Sequence, residues 1–376
     1  MQCGPLGCDW GRRGRGCHSL VAGLHTPHSR CCCRPLPWRQ CRPGIRKERL
    51  LRCSAAIMGS AAGLGLLAAL LLLTCGAWGS SVPSPPPTIN DRPVIGIIAQ
   101  ETHFENLVYL GHSYIAASYV KTLESAGARV IPIRINLPDE EYVKIFNAIN
   151  GVLLPGGGVD LKYSEYARVS KIFYDLALAA YDKGDYFPIW GTCLGFEELT
   201  VLTSGELLLT RTKTENMSLP LNFTENVLHS KLFRSLPQTL YKALSSRPIT
   251  ANFHSWSLSM QNYTANEKLR KFYKVLSTNS DGGLEFISTF EAYDYPVYGV
   301  QWHPEKNPFE WRIISDISHT AEAVHVAFYM ADYFVKEARK SQHHYSAEIQ
   351  AQHPLIYNFC PMYTANISVF EQMYFF

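Results

Sequence analysis

The chain has 376 residues, 47% hydrophobic and 18% charged, a composition that indicates a packed globular body and excludes a largely disordered chain. Its formal net charge of +3 is unevenly held, because residues 1–57 contain ten Arg and one Lys against only Asp9 and Glu48 and everything after them is net acidic. The positive surplus sits in a Gly/Pro/Cys-rich head without apolar periodicity, so nucleic-acid binding finds no support in the folded part. The cysteines divide the same way: Cys3, Cys8, Cys17, Cys31, Cys32, Cys33, Cys41, Cys53 and Cys75 precede residue 80, leaving Cys193 and Cys360 beyond it. Two cysteines build no disulfide framework, and the head lacks paired C-x-x-C units at zinc spacing.

From Met58 the sequence turns into a small, uncharged run, G-L-G-L-L-A-A-L-L-L-L-T, followed by Ala77-Trp78-Gly79. An apolar core of about a dozen residues is short of the roughly 20 that span a membrane, and small residues at 77 and 79 suit a signal peptidase. Residues 58–79 are therefore expected to be a signal peptide rather than a stable membrane anchor. Met58 is then the expected working start, residues 1–57 an N-terminal extension, and 80–90 a Pro-rich linker. Sequons at Asn216, Asn222, Asn262 and Asn366 support a secretory route and glycosylation.

One catalytic domain is expected over 91–376. Val94 to Ala99 reads as a strand buried on both faces. Ser113 to Ala126 carries apolar residues at helical spacing and stops at Gly127. A strand (129–135), a helix (139–147), a strand (151–154), a helix (164–183) and a strand (186–190) follow. This alternation predicts an α/β three-layer sandwich on a mostly parallel central sheet. The segments 284–290 and 296–302 are rich in β-branched and aromatic residues and read as antiparallel or edge strands. Helix returns at 321–340, and the aromatic stretch to Phe376 is expected to pack back on the body.

Trp190-Gly191-Thr192-Cys193-Leu194-Gly195 ends an apolar strand and opens a helix over 196–203. Glycines flanking the cysteine permit a sharp turn that lifts the sulfur into the cleft at the strand's carboxyl end, with a helix N-terminus aimed at it. Gln301-Trp302-His303-Pro304-Glu305 sets a His and a Glu two residues apart at a strand exit, an arrangement that fits a base and the group that orients it. Leu154-Pro155-Gly156-Gly157-Gly158 follows another strand, where successive backbone N–H groups can converge on an anionic oxygen. With Leu194 N–H, that of Gly157 or Gly158 is the expected oxyanion hole. No His/Cys/Asp cluster calls for a metal, and no phosphate loop is present.

P-G-G-G, G-T-C-L-G and Q-W-H-P-E, in this order and separation, resemble the class I glutamine amidotransferase superfamily. The surrounding text, including S-Y-I-A-A-S-Y-V-K-T-L-E-S-A-G-A-R-V, D-Y-F-P-I-W-G-T-C-L-G-F-E-E-L and P-V-Y-G-V-Q-W-H-P-E-K, is similar to its γ-glutamyl hydrolase family from residue 92 onward. The resemblance implies a flavodoxin-like fold with Cys193 as nucleophile, His303 as acid and base, and Glu305 as third member. It also points to His254, in A-N-F-H-S-W, as an auxiliary or substrate-binding residue. It further implies hydrolysis of folylpoly-γ-glutamates without a cofactor, location in lysosomes or outside the cell, and a homodimer. In an acidic compartment only about 0.03% of an ordinary thiol is ionised at pH 5, so a Cys193 thiolate paired with protonated His303, its thiol pKa depressed, is expected. Two alternatives share the fold: a glutaminase subunit delivering ammonia, and a non-catalytic redox or binding protein using Cys193 as an oxidisable thiol. Neither uses all the features, since no synthetase segment accompanies the first and the second needs no His and Glu at the strand exit.

Overall fold

The computed structural model describes residues 89–313 and 315–376. The expected extension (1–57), the expected signal peptide (58–79) and most of the expected linker lie outside the described residues. Eight strands form the main sheet, in the spatial order Arg129–Ile133, Val94–Ile98, Val152–Leu154, Ile189–Thr192, Val297–Val300, Glu285–Ala292, Tyr273–Ser280 and Asn222–Phe223. The first five run parallel and the last three antiparallel, so the mostly parallel α/β sheet with antiparallel additions is as expected.

Burial explains the composition of the parallel strands. All five residues of Val94–Ile98 are inaccessible to solvent, which removes the alternation that a half-exposed strand would show. One face of the sheet is covered by the helices Ala117–Ser125 and Ala321–Ala338, whose Tyr119, Leu123, Val326, Met330 and Phe334 join Ile95, Ile97, Leu153 and Trp190 in one core cluster. The other face is covered by Asp139–Phe146, Glu165–Tyr181 and Leu194–Ser204, which contribute Tyr142, Phe146, Val169, Phe173, Phe196 and Leu199. Removing each such side chain from water stabilises the fold by about 1.5–3 kcal/mol.

Two expectations change. The segment expected as a helix from Ser113 begins as a strand, Ser113–Ala116, and turns helical only at Ala117. Its backbone pairs with the C-terminal strand Gln372–Phe375 on one side and with Gln100–Glu101 on the other, a long-range pairing that overrides local helical spacing. The same ladder ties the aromatic C-terminus to the body. Val297–Val300 is not an edge strand either: it is central, parallel to Ile189–Thr192 and antiparallel to Glu285–Ala292. Its aromatic and β-branched composition reflects burial on both faces, with all four residues buried, rather than an edge position; the antiparallel pairing is as expected on one side only.

Candidate active site

Register brings the three singled-out loops together. Leu154 stands opposite Gly191, and Val300 opposite Thr192. Chains leaving these parallel strands in the same direction therefore emerge side by side, as Pro155-Gly156, Cys193 and Gln301-Trp302-His303. The carboxyl ends of parallel strands are where an open α/β sheet forms its cleft. Two backbone bonds fasten the convergence: Cys193 N–H donates to Val300 O at 2.8 Å, and His303 N–H donates to Ala251 O at 2.8 Å. Cys193, Gly156, Gly157, Gly158 and His303 line one cavity.

Cys193 has φ 51° and ψ −107°, a backbone conformation that costs an ordinary residue on the order of 1–3 kcal/mol. The turn is held by close packing on its far side. A Cβ on Gly195 would lie 2.0 Å from Leu154 O, so only glycine lets the helix Leu194–Ser204 start this near the neighbouring strand. Held there, the Cys193 side chain is buried, one residue ahead of the helix N-terminus.

His303 is buried with Glu305, and its Nδ1 stands 2.6 Å from Glu305 Oε1. Nδ1–H donating to that carboxylate leaves Nε2 as the nitrogen available to the sulfur. The distance between ring and nucleophile is small: a carbon built on Gly156 would lie 2.7 Å from His303 Cε1 and 3.1 Å from Cys193 Cβ at once. Both groups therefore border the same small space beside Gly156. Tyr119, not singled out from sequence, completes the packing. Its hydroxyl accepts from Gly156 N–H at 2.8 Å and lies 3.4 Å from His303 Nδ1.

The oxyanion candidates separate. Gly158 N–H donates to Gln100 Oε1 at 3.4 Å, and Gln100 Nε2 donates to Gly156 O at 2.7 Å. Among the described residues nothing accepts from Gly157 N–H, and a Cβ on Gly157 would overlap Gln100 Oε1 at 1.6 Å. Gly158 N–H is thus engaged by Gln100 while Gly157 N–H is not, and Leu194 N–H stands at the helix start beside the Cys193 sulfur. Gln100 was also missed from sequence, where it ends an apolar run with nothing to mark it.

His254 lies on the long strand Thr250–Leu258, buried, lining a second hollow that meets the first at Cys193. Its Nε2 is 3.1 Å from Asn252 Oδ1, and its Nδ1 is 2.9 Å from Thr214 Oγ1 and 3.0 Å from Ser257 Oγ. Burial, with the nearby His303 charge, pushes its pKa down to about 3. Both ring nitrogens are occupied by neighbouring side chains. Among the described residues no group of three or more His, Cys, Asp or Glu could hold a metal, and no helix is long and apolar enough to cross a membrane.

Protonation departs from expectation. Burial would push Glu305 up, but His303 and Lys306 outweigh it and hold the carboxyl below its ordinary value, ionised. Burial lowers the pKa of His303, against the opposing pull of the Glu305 carboxylate. For Cys193, burial and then the charges of Glu197 and Glu305 raise the thiol well above its usual value, against the smaller pull of Lys306 and Leu194 N–H. The expected depression of the thiol pKa is thus reversed: the dry surroundings first, then the Glu197 and Glu305 carboxyls, outweigh the helix terminus. Alkylation of Cys193 in the free protein, followed on its own peptide to separate it from exposed Cys360, is expected to accelerate only above about pH 8. Half-maximal reactivity below pH 7 contradicts this arrangement.

The profile of the Peptidase C26 family matches residues 93–305. The chain belongs to this family. Its C26 match runs from the first strand of the main sheet to Glu305, so it includes all three convergent loops. Among curated relatives, "Gamma-glutamyl hydrolase" of Homo sapiens is 55% identical over 311 residues, covering 83% of this chain and 98% of that protein. "Gamma-glutamyl hydrolase B" of Dictyostelium discoideum is 43% identical, covering 77% and 84%. Among solved structures, the Trypanosoma brucei CTPS glutaminase domain with bound acivicin aligns at 14% identity and a TM-score of 0.42, over 66% of this chain and 95% of that one.

Proposed function

We propose that this C26 chain is a cysteine hydrolase of γ-glutamyl peptide bonds, acting on folylpoly-γ-glutamates and polyglutamated antifolates. The observation that carries the reading is a buried cysteine on a strained elbow, sharing one cavity with an imidazole whose Nδ1 is held by a buried carboxylate 2.6 Å away. On substrate binding, Cys193 Sγ–H gives its proton to His303 Nε2 as the sulfur attacks the γ-carbonyl carbon. The carbonyl oxygen becomes an oxyanion between Leu194 N–H and Gly157 N–H. The C–N bond then breaks, His303 protonates the leaving amine, and a γ-glutamyl thioester remains on Cys193. His303 takes a proton from water, whose oxygen attacks the thioester carbonyl, and the thiol is restored as the acid departs. Glu305 keeps the ring in the tautomer that both halves need. Exposed Trp256 and Tyr163 line the second hollow that begins at Cys193, which suits a substrate with an aromatic end.

Incubating the purified protein with a pteroyl tri-γ-glutamate and resolving products by mass tests the reading. Shortened pteroyl glutamates with free glutamate or glutamyl peptide are expected, and intact substrate contradicts it. Secretion to lysosomes or the cell exterior and assembly as a homodimer belong to the same proposal. Of the four sequons, Asn216 lines the catalytic cavity and Asn262 Nδ2 donates to Leu208 O at 2.7 Å, which leaves exposed Asn222 and Asn366 as the sites best placed for glycans.

A further inference from the structure

Lys306 follows the His-Pro-Glu turn directly and is only 3% exposed. Its ammonium stands between two rings, 4.6 Å from the centroid of Phe370 and 5.0 Å from that of Phe253. Among the described residues it makes no ion pair and no hydrogen bond. Nearby carboxyls are committed elsewhere: Glu305 to His303, and Glu310 to the backbone N–H of Glu371 at 2.6 Å. The residue is buried, but it lines the same open cavity as Cys193 and His303, with Glu305 and Glu310 near enough to feel its charge yet bonded to other groups. An ammonium steadied by ring faces and without a side-chain partner is placed to take an anionic group of a molecule that reaches Cys193.

Resting on the γ-glutamyl hydrolase reading, we propose that Lys306 is a specificity-determining residue, whose ammonium takes the α-carboxylate of the glutamyl unit being acylated onto Cys193. In a γ-glutamyl unit that carboxylate lies four bonds from the γ-carbonyl carbon, and an α-linked peptide does not offer it in the same place. An anion seated between the two aromatic rings at Lys306 fixes the γ-carbonyl over the sulfur and distinguishes γ- from α-linkage. Phe370 comes from the C-terminal stretch that folds back over the cleft, which gives that stretch a part in substrate choice.

The test compares a pteroyl γ-glutamyl-glutamate with the analogue whose first α-carboxylate is a carboxamide, on wild type, Lys306→Met and Lys306→Arg. Wild type is expected to prefer the carboxylate by about 100-fold in kcat/KM, the size of a lost charged hydrogen bond in a dry site. Lys306→Met is expected to reduce that preference to within about fivefold, chiefly by raising KM for the carboxylate substrate, while any change it causes through Glu305 and Cys193 falls on kcat for both substrates alike. Lys306→Arg retains part of the preference. Equal losses on both substrates, or an undiminished preference in Lys306→Met, overturn the proposal. So does a wild type that cleaves the two alike, a result that needs no folded variant. A wild type that cleaves neither removes the hydrolase reading itself, and this proposal with it.

Discussion

Cys193→Ala is expected to lower turnover of a γ-glutamyl peptide by at least about 10⁴-fold, since removing the nucleophile from a working triad leaves only the oxyanion hole and binding. Stability should barely change, because alanine at φ 51° carries nearly the same backbone strain. Cys193→Gly separates the two effects: it is equally inactive but gains about 1 kcal/mol in denaturant melts, since glycine alone adopts this conformation freely. Retained turnover in either variant removes Cys193 from the chemistry. Failure of Cys193→Gly to gain stability means the elbow is not strained.

The second large effect is in stability against pH. Glu197 and Glu198 open the helix behind Cys193, and burial raises each from 4.5 to about 8. Gln301 Nε2 donates to Glu197 at 2.9 Å, while both Glu198 oxygens lack a partner. Both are thus protonated in the fold and ionised in the unfolded chain between pH 4.5 and 8. Over that range the native state holds more protons, so these two groups make stability fall as pH rises. His254 and His303, whose pKa values burial lowers in the fold, bind fewer protons there than when unfolded below about pH 6.5 and act in the opposite direction. The unopposed window is pH 6.5 to 8, where the two carboxyls together cost on the order of 3 kcal/mol. Urea melts should show that decline, and Glu198→Gln should remove about half of it. Equal or greater stability at pH 8 contradicts the buried-acid account.

Much of the cleft was legible because its parts are contiguous motifs. Glycines around Cys193 and the His-Pro-Glu turn announce tight backbone and strand exit by residue type alone. Leu154 and Gly156 follow an apolar run that could only be a buried strand. The residues that escaped notice act across long separations. Tyr119 sits on a helix whose apolar spacing makes it look like core, and Gln100 is an unremarkable polar residue until Gly157 is packed on it. Lys306 was read as part of a motif and not as a ligand-seeking ammonium, since only Phe370, far along the chain, shows that it is buried. The strand at Ser113–Ala116 was missed for the same reason: its partner is the C-terminal strand, which local spacing does not reveal. The direction of the Cys193 shift was misjudged because burial of the sulfur, which no local motif reveals, outweighs the helix N-terminus, with Glu305 and, once ionised, Glu197 adding to it.

Mass spectrometry of the acyl-enzyme tests the central claim most directly. Rapid acid quench of wild-type protein mixed with a pteroyl γ-glutamyl peptide should show a pteroylglutamyl adduct on the peptide containing Cys193. The adduct should be labile to hydroxylamine and absent from Cys193→Ala. Cleavage that proceeds with no adduct at Cys193, or with the adduct on another residue, contradicts the account.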